Sequence, residues 1–242
     1  MVSFKKLAVA FLLSAPLVAQ ATPTIYVQAS KGSFNDAALH QLLKKDPTLK
    51  SKVIFSGTPL NTYQQANENK GRAFTAIENS TIKGKLVDAT VKAIEQYKVT
   101  KPIAFITTPI EMCAFMNKQD IKAKQPIKAI ASHPAALKEV SKWNQSYDAM
   151  EIVVPQGTAY AAKQVSMHKF PKGTAAVGAC VLNEIYPNLV NVAANIQNDE
   201  SNRTSFMLAE VVKRKQPISS TQATKELQQI IKTAKDSHKN VL

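Results

Sequence analysis

The 242-residue sequence predicts an α/β fold with largely parallel strands. Three observations carry that expectation. Short β-type runs alternate with helical patterns along the chain. The strand-to-helix turns around Ser33, Ser132 and Thr158 are small and polar. The length behind an N-terminal leader accommodates one large domain or two lobes.

The leader has three parts. Lys5 and Lys6 open it, residues 7–18 are apolar apart from Ser14 and Pro16, and Ala19-Gln20-Ala21 is a small-x-small cleavage site. That layout is a secretory signal peptide, so residues 1–21 are set apart from the fold and the mature protein is expected to be exported, periplasmic or secreted. A retained N-terminal anchor is the alternative. No other apolar run approaches the ~18 residues of a membrane helix, so no span is expected in the mature form.

The elements follow in order. Ile25-Tyr26-Val27 reads as a strand, and residues 29–33 as a small, glycine-bearing loop. Residues 34–43 then read as a helix with Ala37, Ala38, Leu39, Leu42 and Leu43 inward. Strand, glycine loop and helix in succession aim backbone N–H groups at an anion. Residues 52–55 and 73–77 are further strands, with a polar helix over 60–70 between them. A helix over 86–97 has a broad apolar face, and Pro102 opens a strand over 102–106. The alternation continues with a strand at 127–131, a helix at 135–143 and a strand at 149–154. Thr158 is placed as N-cap of a helix over 159–167. A strand at 173–177, a helix at 179–185 and strands at 189–194 and 206–212 complete the body. Ala223, Leu227, Ile230, Ile231 and Ala234 recur at helical spacing, giving an amphipathic helix within residues 216–242 that is expected to lie on the body.

Charge and cysteines narrow the function classes. There are 31 Lys and Arg against 17 Asp and Glu, a formal net charge of +14. A field of that sign draws in small anions. No basic run is interleaved with aromatics and no zinc-finger or RNP-like motif is present, so nucleic-acid binding is not expected. Cys113 and Cys180 both sit in apolar segments. They are either a disulfide, which an oxidising compartment permits, or two buried thiols. His40, His133, His168 and His238 are too scattered to suggest a metal site. Ligands of open α/β sheets bind at the carboxyl ends of strands. The Ser-, Thr- and Asn-rich loops there suit oxyanions and hydroxyls. Pattern alone therefore gives a site for an anionic small molecule.

Five motifs add a resemblance. Lys31-Gly32-Ser33-Phe34-Asn35-Asp36-Ala37-Ala38, Ile77-Glu78-Asn79-Ser80 and Ser132-His133-Pro134-Ala135-Ala136-Leu137 come first. Gly157-Thr158-Ala159-Tyr160-Ala161-Ala162 and Asn202-Arg203-Thr204-Ser205-Phe206 follow, the last preceded by Asn195-Ile196-Gln197. In this order they resemble the motifs of the prephenate dehydratase family and cover about residues 24–212.

The resemblance implies a two-lobed α/β fold, similar in outline to a type II periplasmic binding protein, with an inter-lobe cleft. Lobe 1 would be residues 22–100, lobe 2 residues 101–195, and residues 196–215 the return to lobe 1, with crossings near 99–102 and 193–199. The implied activity is that of a lyase: decarboxylative dehydration of prephenate to phenylpyruvate in phenylalanine biosynthesis, with no metal or cofactor required. Thr204 matches the catalytic threonine. Ser33, Asn79, Ser80, Ser132, Thr158, Asn202 and Phe206 would surround the substrate. Glu78 suits a structural role at least as well as a binding one, because a carboxylate repels a dianion unless it is protonated or turned away. His133 suits a turn better than acid catalysis.

The chain also departs from the family pattern. Ala76 replaces proline, Gly157 serine, Ala135 glutamine and Ser205 arginine, while the turn through Thr81-Ile82-Lys83-Gly84 is one residue longer. Serine cannot clamp a carboxylate as a guanidinium does, and nearby Arg203 cannot be assumed to substitute. The ACT and chorismate mutase segments are missing, so phenylalanine feedback through that route is not expected. The competing expectation is a non-catalytic exported binding protein for an aromatic or carboxylate ligand in the same cleft. The oligomeric state is open, with a homodimer among the options.

Overall fold

The computed structural model of the chain describes residues 23–82 and 85–236. The expected signal peptide, Lys83, Gly84, His238 and the last residues of the C-terminal segment lie outside them.

Two five-stranded sheets form the body. In the first, β1 (Ile25–Gln28) lies between β2 (Val53–Gly57) and β3 (Arg72–Asn79), followed by β10 (Arg203–Lys213) and β4 (Tyr97–Pro109). In the second the order is β7 (Met150–Val153), β6 (Ala129–Ser132), β8 (Thr174–Ala179), β5 (Met112–Asn117) and β9 (Leu189–Ala193). Helices α1 (Phe34–Lys45), α2 (Pro59–Glu68), α3 (Asp88–Gln96) and α9 (Ser220–Asp236) flank the first sheet. Helices α4 (Lys118–Lys122), α5 (Pro134–Glu139), α6 (Ser141–Asn144), α7 (Thr158–Ser166) and α8 (Leu182–Ile185) belong to the second. The result is a two-lobed α/β fold.

Alternation along the strands gives each sheet an apolar face on both sides. In β3, Ala73 and Ile77 join the core under α2, α3 and α9, while Phe74 and Ala76 join the one under α1. Phe74 stacks on Phe206 with ring centroids 5.6 Å apart. Buried Ala223, Leu227, Ile231 and Ala234 seat α9 on the first lobe, whereas Ile230 is only partly buried.

Several expectations are corrected. The sheets are mixed: β10 runs antiparallel to β3 and β4, and β5 antiparallel to β8 and β9. The cause is the double crossing, since β10 re-enters the first sheet from the other lobe. Pro102 does not open its strand but sits inside β4, which it can do because β4 is a sheet edge and a missing N–H faces no partner strand there. Strand pairing therefore keeps residues 101–109 in the first lobe, and the chain crosses at Ile110-Glu111. Strand β5 was not anticipated; all six of its residues are buried, so it lacks the alternation that marks a half-buried strand. The expected helix at 135–143 breaks at Val140 into α5 and α6, and that at 179–185 shrinks to α8, because Gly178 and Ala179 complete β8. Cys113 and Cys180 are joined in a disulfide.

Candidate functional site

A cavity of about 720 Å³ lies where the strand ends of the two lobes meet. That volume suits a small organic ligand. From the first lobe come Ser33, Asn35, Thr58, Asn79, Asn202, Thr204 and Phe206; from the second come His133, Glu139, Gln156, Gly157 and Thr158.

At the centre of the first-lobe wall the ends of β3 and β10 lie side by side, with Thr204 opposite Asn79. The Asn79 amide is oriented by its own turn: Oδ1 accepts from the Thr81 N–H at 2.9 Å and the Thr81 hydroxyl at 2.5 Å. Nδ2 then donates to Thr204 Oγ1 at 2.8 Å and to Asn202 Oδ1 at 2.9 Å. Thr204 is 7% exposed. Its oxygen is an acceptor in this network, and among the described residues no acceptor takes its proton. The hydroxyl is thereby set as a donor towards the cavity.

Helix starts supply the remaining polarity. Ser33 caps α1 by accepting from the Asp36 N–H, and buried Asp36 accepts from the Gly32 N–H at 2.8 Å. Thr58 caps α2 in the same way through the Asn61 N–H. At α7 the N-cap is Gly157, with φ at +116°, and not Thr158, which is the first helical residue. Glycine brings no side chain to the end of α7, so the first-turn N–H groups beside Thr158 and Ala159 are left for a ligand. His133 caps α5: its Nδ1 accepts from the Ala135 N–H at 3.2 Å, so it is the turn residue that the motif suggested.

The eight sequence-derived site residues divide cleanly. Thr204, Asn79, Asn202, Ser33, Thr158 and Phe206 line one cavity. Ser80 and Ser132 do not. Ser80 begins the turn just past the end of β3, and its hydroxyl accepts from the Arg203 N–H at 2.9 Å. Ser132 is fully buried and donates to the Val177 carbonyl at 2.7 Å. Glu78 also faces away, paired with Lys235 at 3.3 Å. Arg203 and Ser205, two residues apart, share the strand side opposite Thr204. The Arg203 guanidinium is held by the Glu200 and Asn202 carbonyls, and Ser205 hydrogen-bonds Thr107 at 2.9 Å. Neither lines the cavity. Ala76 makes use of the N–H that proline lacks: it donates to Gln28 Oε1 at 3.0 Å beside a register shift in the β3–β10 pairing.

Sequence reasoning did not select Thr58, Glu139 or Gln156. Glu139 was within reach, since on α5 it lies three and four residues beyond Ala136 and Ala135, which share the cavity wall.

The fold and cavity define a two-lobed α/β protein with a cavity between its sheets. The family model for prephenate dehydratase matches residues 25–216, and the chain belongs to that family. No curated protein sequence matches it. Among solved structures, a prephenate dehydratase from Arthrobacter aurescens in complex with L-Phe superposes with a TM-score of 0.64 at 21% identity, covering 81% of this chain and 60% of that one. The quorum-quenching acylase GqqA gives 0.59 at 19% identity, with 81% and 65% covered. The prephenate dehydratase of Staphylococcus aureus subsp. aureus Mu50 gives 0.57 at 17%, with 80% and 68% covered. The chain thus spans less than two thirds of GqqA and of the Arthrobacter enzyme, and these likenesses establish the fold alone.

Proposed function

We propose that this chain is a prephenate-dehydratase-like lyase acting on prephenate or a closely related ring acid. The observation that carries the reading is the Thr204 hydroxyl, oriented by Asn79 at the wall of a cavity that also receives the uncapped start of α7. In the reaction the ring carboxylate leaves as CO₂ and its bond pair enters the ring. The opposite C–O bond breaks, and the departing oxygen takes up a proton and leaves as water. Aromatisation drives both changes. The protein's part is to hold the carboxylates and stabilise the leaving oxygen. Thr204 would donate to that oxygen, while Asn79 keeps the hydroxyl from turning inward. Ser33, Thr158 and the first turn of α7 would take the carboxylates.

We further propose export, to the periplasm or beyond. The three-part leader supports it, as does the Cys113–Cys180 disulfide, a bond that persists in oxidising compartments.

One observation favours the second reading, a non-catalytic binding protein. Among the described residues no Lys or Arg lines the cavity, whereas Glu139 does. Incubation of the purified protein with prephenate separates the two readings. The lyase forms phenylpyruvate, Thr204→Val lowers the rate on the order of 10²-fold or more, and Thr204→Ser retains much of it. Ligand-induced thermal stabilisation without turnover would instead support the binder.

A further inference from the structure

The cavity of this basic protein carries its charge in an unexpected place. The chain has 31 Lys and Arg. Yet among the described residues the charged side chain at the wall, apart from His133, is the carboxylate of Glu139. Glu139 is half-buried at the last position of α5. A carboxylate is poorly placed at a helix C-terminus, where the backbone presents carbonyl oxygens. Among the described residues no cation or hydrogen-bond donor meets its side chain. Its own carbonyl is engaged by the Asn198 N–H, which fixes the backbone and leaves the carboxylate to the cavity.

A second group on the same cavity makes the same demand. Asn35, at the start of α1, has a buried side-chain oxygen without a hydrogen-bond partner. Its neighbour Phe34 packs against the cluster containing Ala136, Leu137 and Val140, so the start of α1 abuts α5 across the cleft. Two acceptors from opposite lobes thus wait for a donor. A buried acceptor left unpaired is costly, and a carboxylate more so, unless a ligand completes it. The carboxylates of a dianion offer neither group a donor. A ligand nitrogen bearing positive charge offers up to three N–H donors.

We propose that Glu139 is a specificity-determining residue that reads an ammonium group, so that the cavity prefers an aromatic α-amino acid to the matching α-keto acid. The proposal rests on the cavity being the ligand site, as in the reading above, and adds a preference for the zwitterion among the ring acids that enter it. The ammonium faces Glu139 and Asn35, the carboxylate faces the opening turn of α7, and the ring lies against the apolar wall that includes Ile110, Met112 and Phe206.

Calorimetric titration of the purified protein with L-phenylalanine, phenylpyruvate and 3-phenylpropionate tests this. The expected result is that L-phenylalanine binds about tenfold or more tightly than phenylpyruvate. Glu139→Gln removes that preference while phenylpyruvate binding holds or improves, and Asn35→Ala erodes the preference in part, all with unchanged circular dichroism. Equal or tighter binding of phenylpyruvate, equal losses for both ligands in Glu139→Gln, or no binding of L-phenylalanine would overturn the proposal. Prephenate turnover on the same sample keeps the two readings apart. Turnover without an amino-acid preference rejects this inference and leaves the lyase standing. A Glu139-dependent preference without turnover rejects the lyase and leaves this inference standing.

Discussion

The Thr204 hydroxyl acts in company. Asn79 holds it from one side, and Thr81 holds Asn79 from the other. Converting the amide to a carboxylate reverses the direction of the network, since Asn79→Asp cannot donate and instead draws the Thr204 proton to itself. The expected outcome is a fall in prephenate turnover of at least about tenfold with little change in melting temperature. An unchanged rate would show that Thr204 needs no such orientation. A different residue governs alkaline stability. Burial pushes the Tyr63 phenol up from 10.0 to about 12; its hydrogen bond with Thr75 pulls the other way and the Glu226 charge adds a little. Between those two values the unfolded chain has lost a proton that the folded chain keeps. Stability is therefore whole below 10 and falls as pH rises towards 12. The loss amounts to at most about 3 kcal/mol. Tyr63→Phe should flatten that fall in urea titrations across the window, and an identical slope would contradict it. At this scale the motifs made Thr204 and Asn79 legible, because residue type and order survive in a sequence. They did not reveal that Ser80 and Ser132 point elsewhere, since a motif does not say which way a side chain turns until the strand end and its turn are placed. Glu139 escaped because it lies on a helix whose facing partner comes from the other lobe.

Among the elements, the second lobe is tied by the Cys113–Cys180 bond. Cys113 stands opposite Gly178 in the β5–β8 pairing, and Cys180 follows directly after β8. The bond closes a segment whose ends are 67 residues apart. In the chain-entropy account, removing it costs about 4 kcal/mol. Cys113→Ala with Cys180→Ala, or reduction, should lower the urea midpoint accordingly; an unaltered midpoint would contradict the account. Two open alternatives in the sequence, a bridge or two buried free thiols, could not be decided there because the required Cα approach, 5.0 Å here, is a tertiary distance. Elements with a clear period or breaker were readable: α9 through its apolar stripe, β1 and β3 through their β-type runs. Strand β5 was not readable, because burial on both faces erases alternation. Nor was the length of β4, because Pro102 marks a strand start in most settings and is tolerated within this one only by its edge position.

For the whole molecule, the two lobes meet on a narrow front. Gly32, in the loop before α1 with φ at +83°, fits against Leu182 and Ile185 of α8 so closely that an added Cβ would lie 2.8 Å from Leu182 Cδ2. A turn of the first lobe thus rests on a helix of the second, with the cavity beside it. The two-lobed plan was legible from the ordered motifs, which span both lobes. The crossing point was not, because it depends on how far β4 pairs with β10. The proposed chemistry requires that the ligand sit in this gap, touched by both lobes. The most direct measurement is a crystal structure of the protein soaked with phenylpyruvate. The expected result is ligand density between Thr204 and the first turn of α7. Density confined to the groove beside α9, or an empty cavity under conditions where the ligand binds in solution, would contradict it.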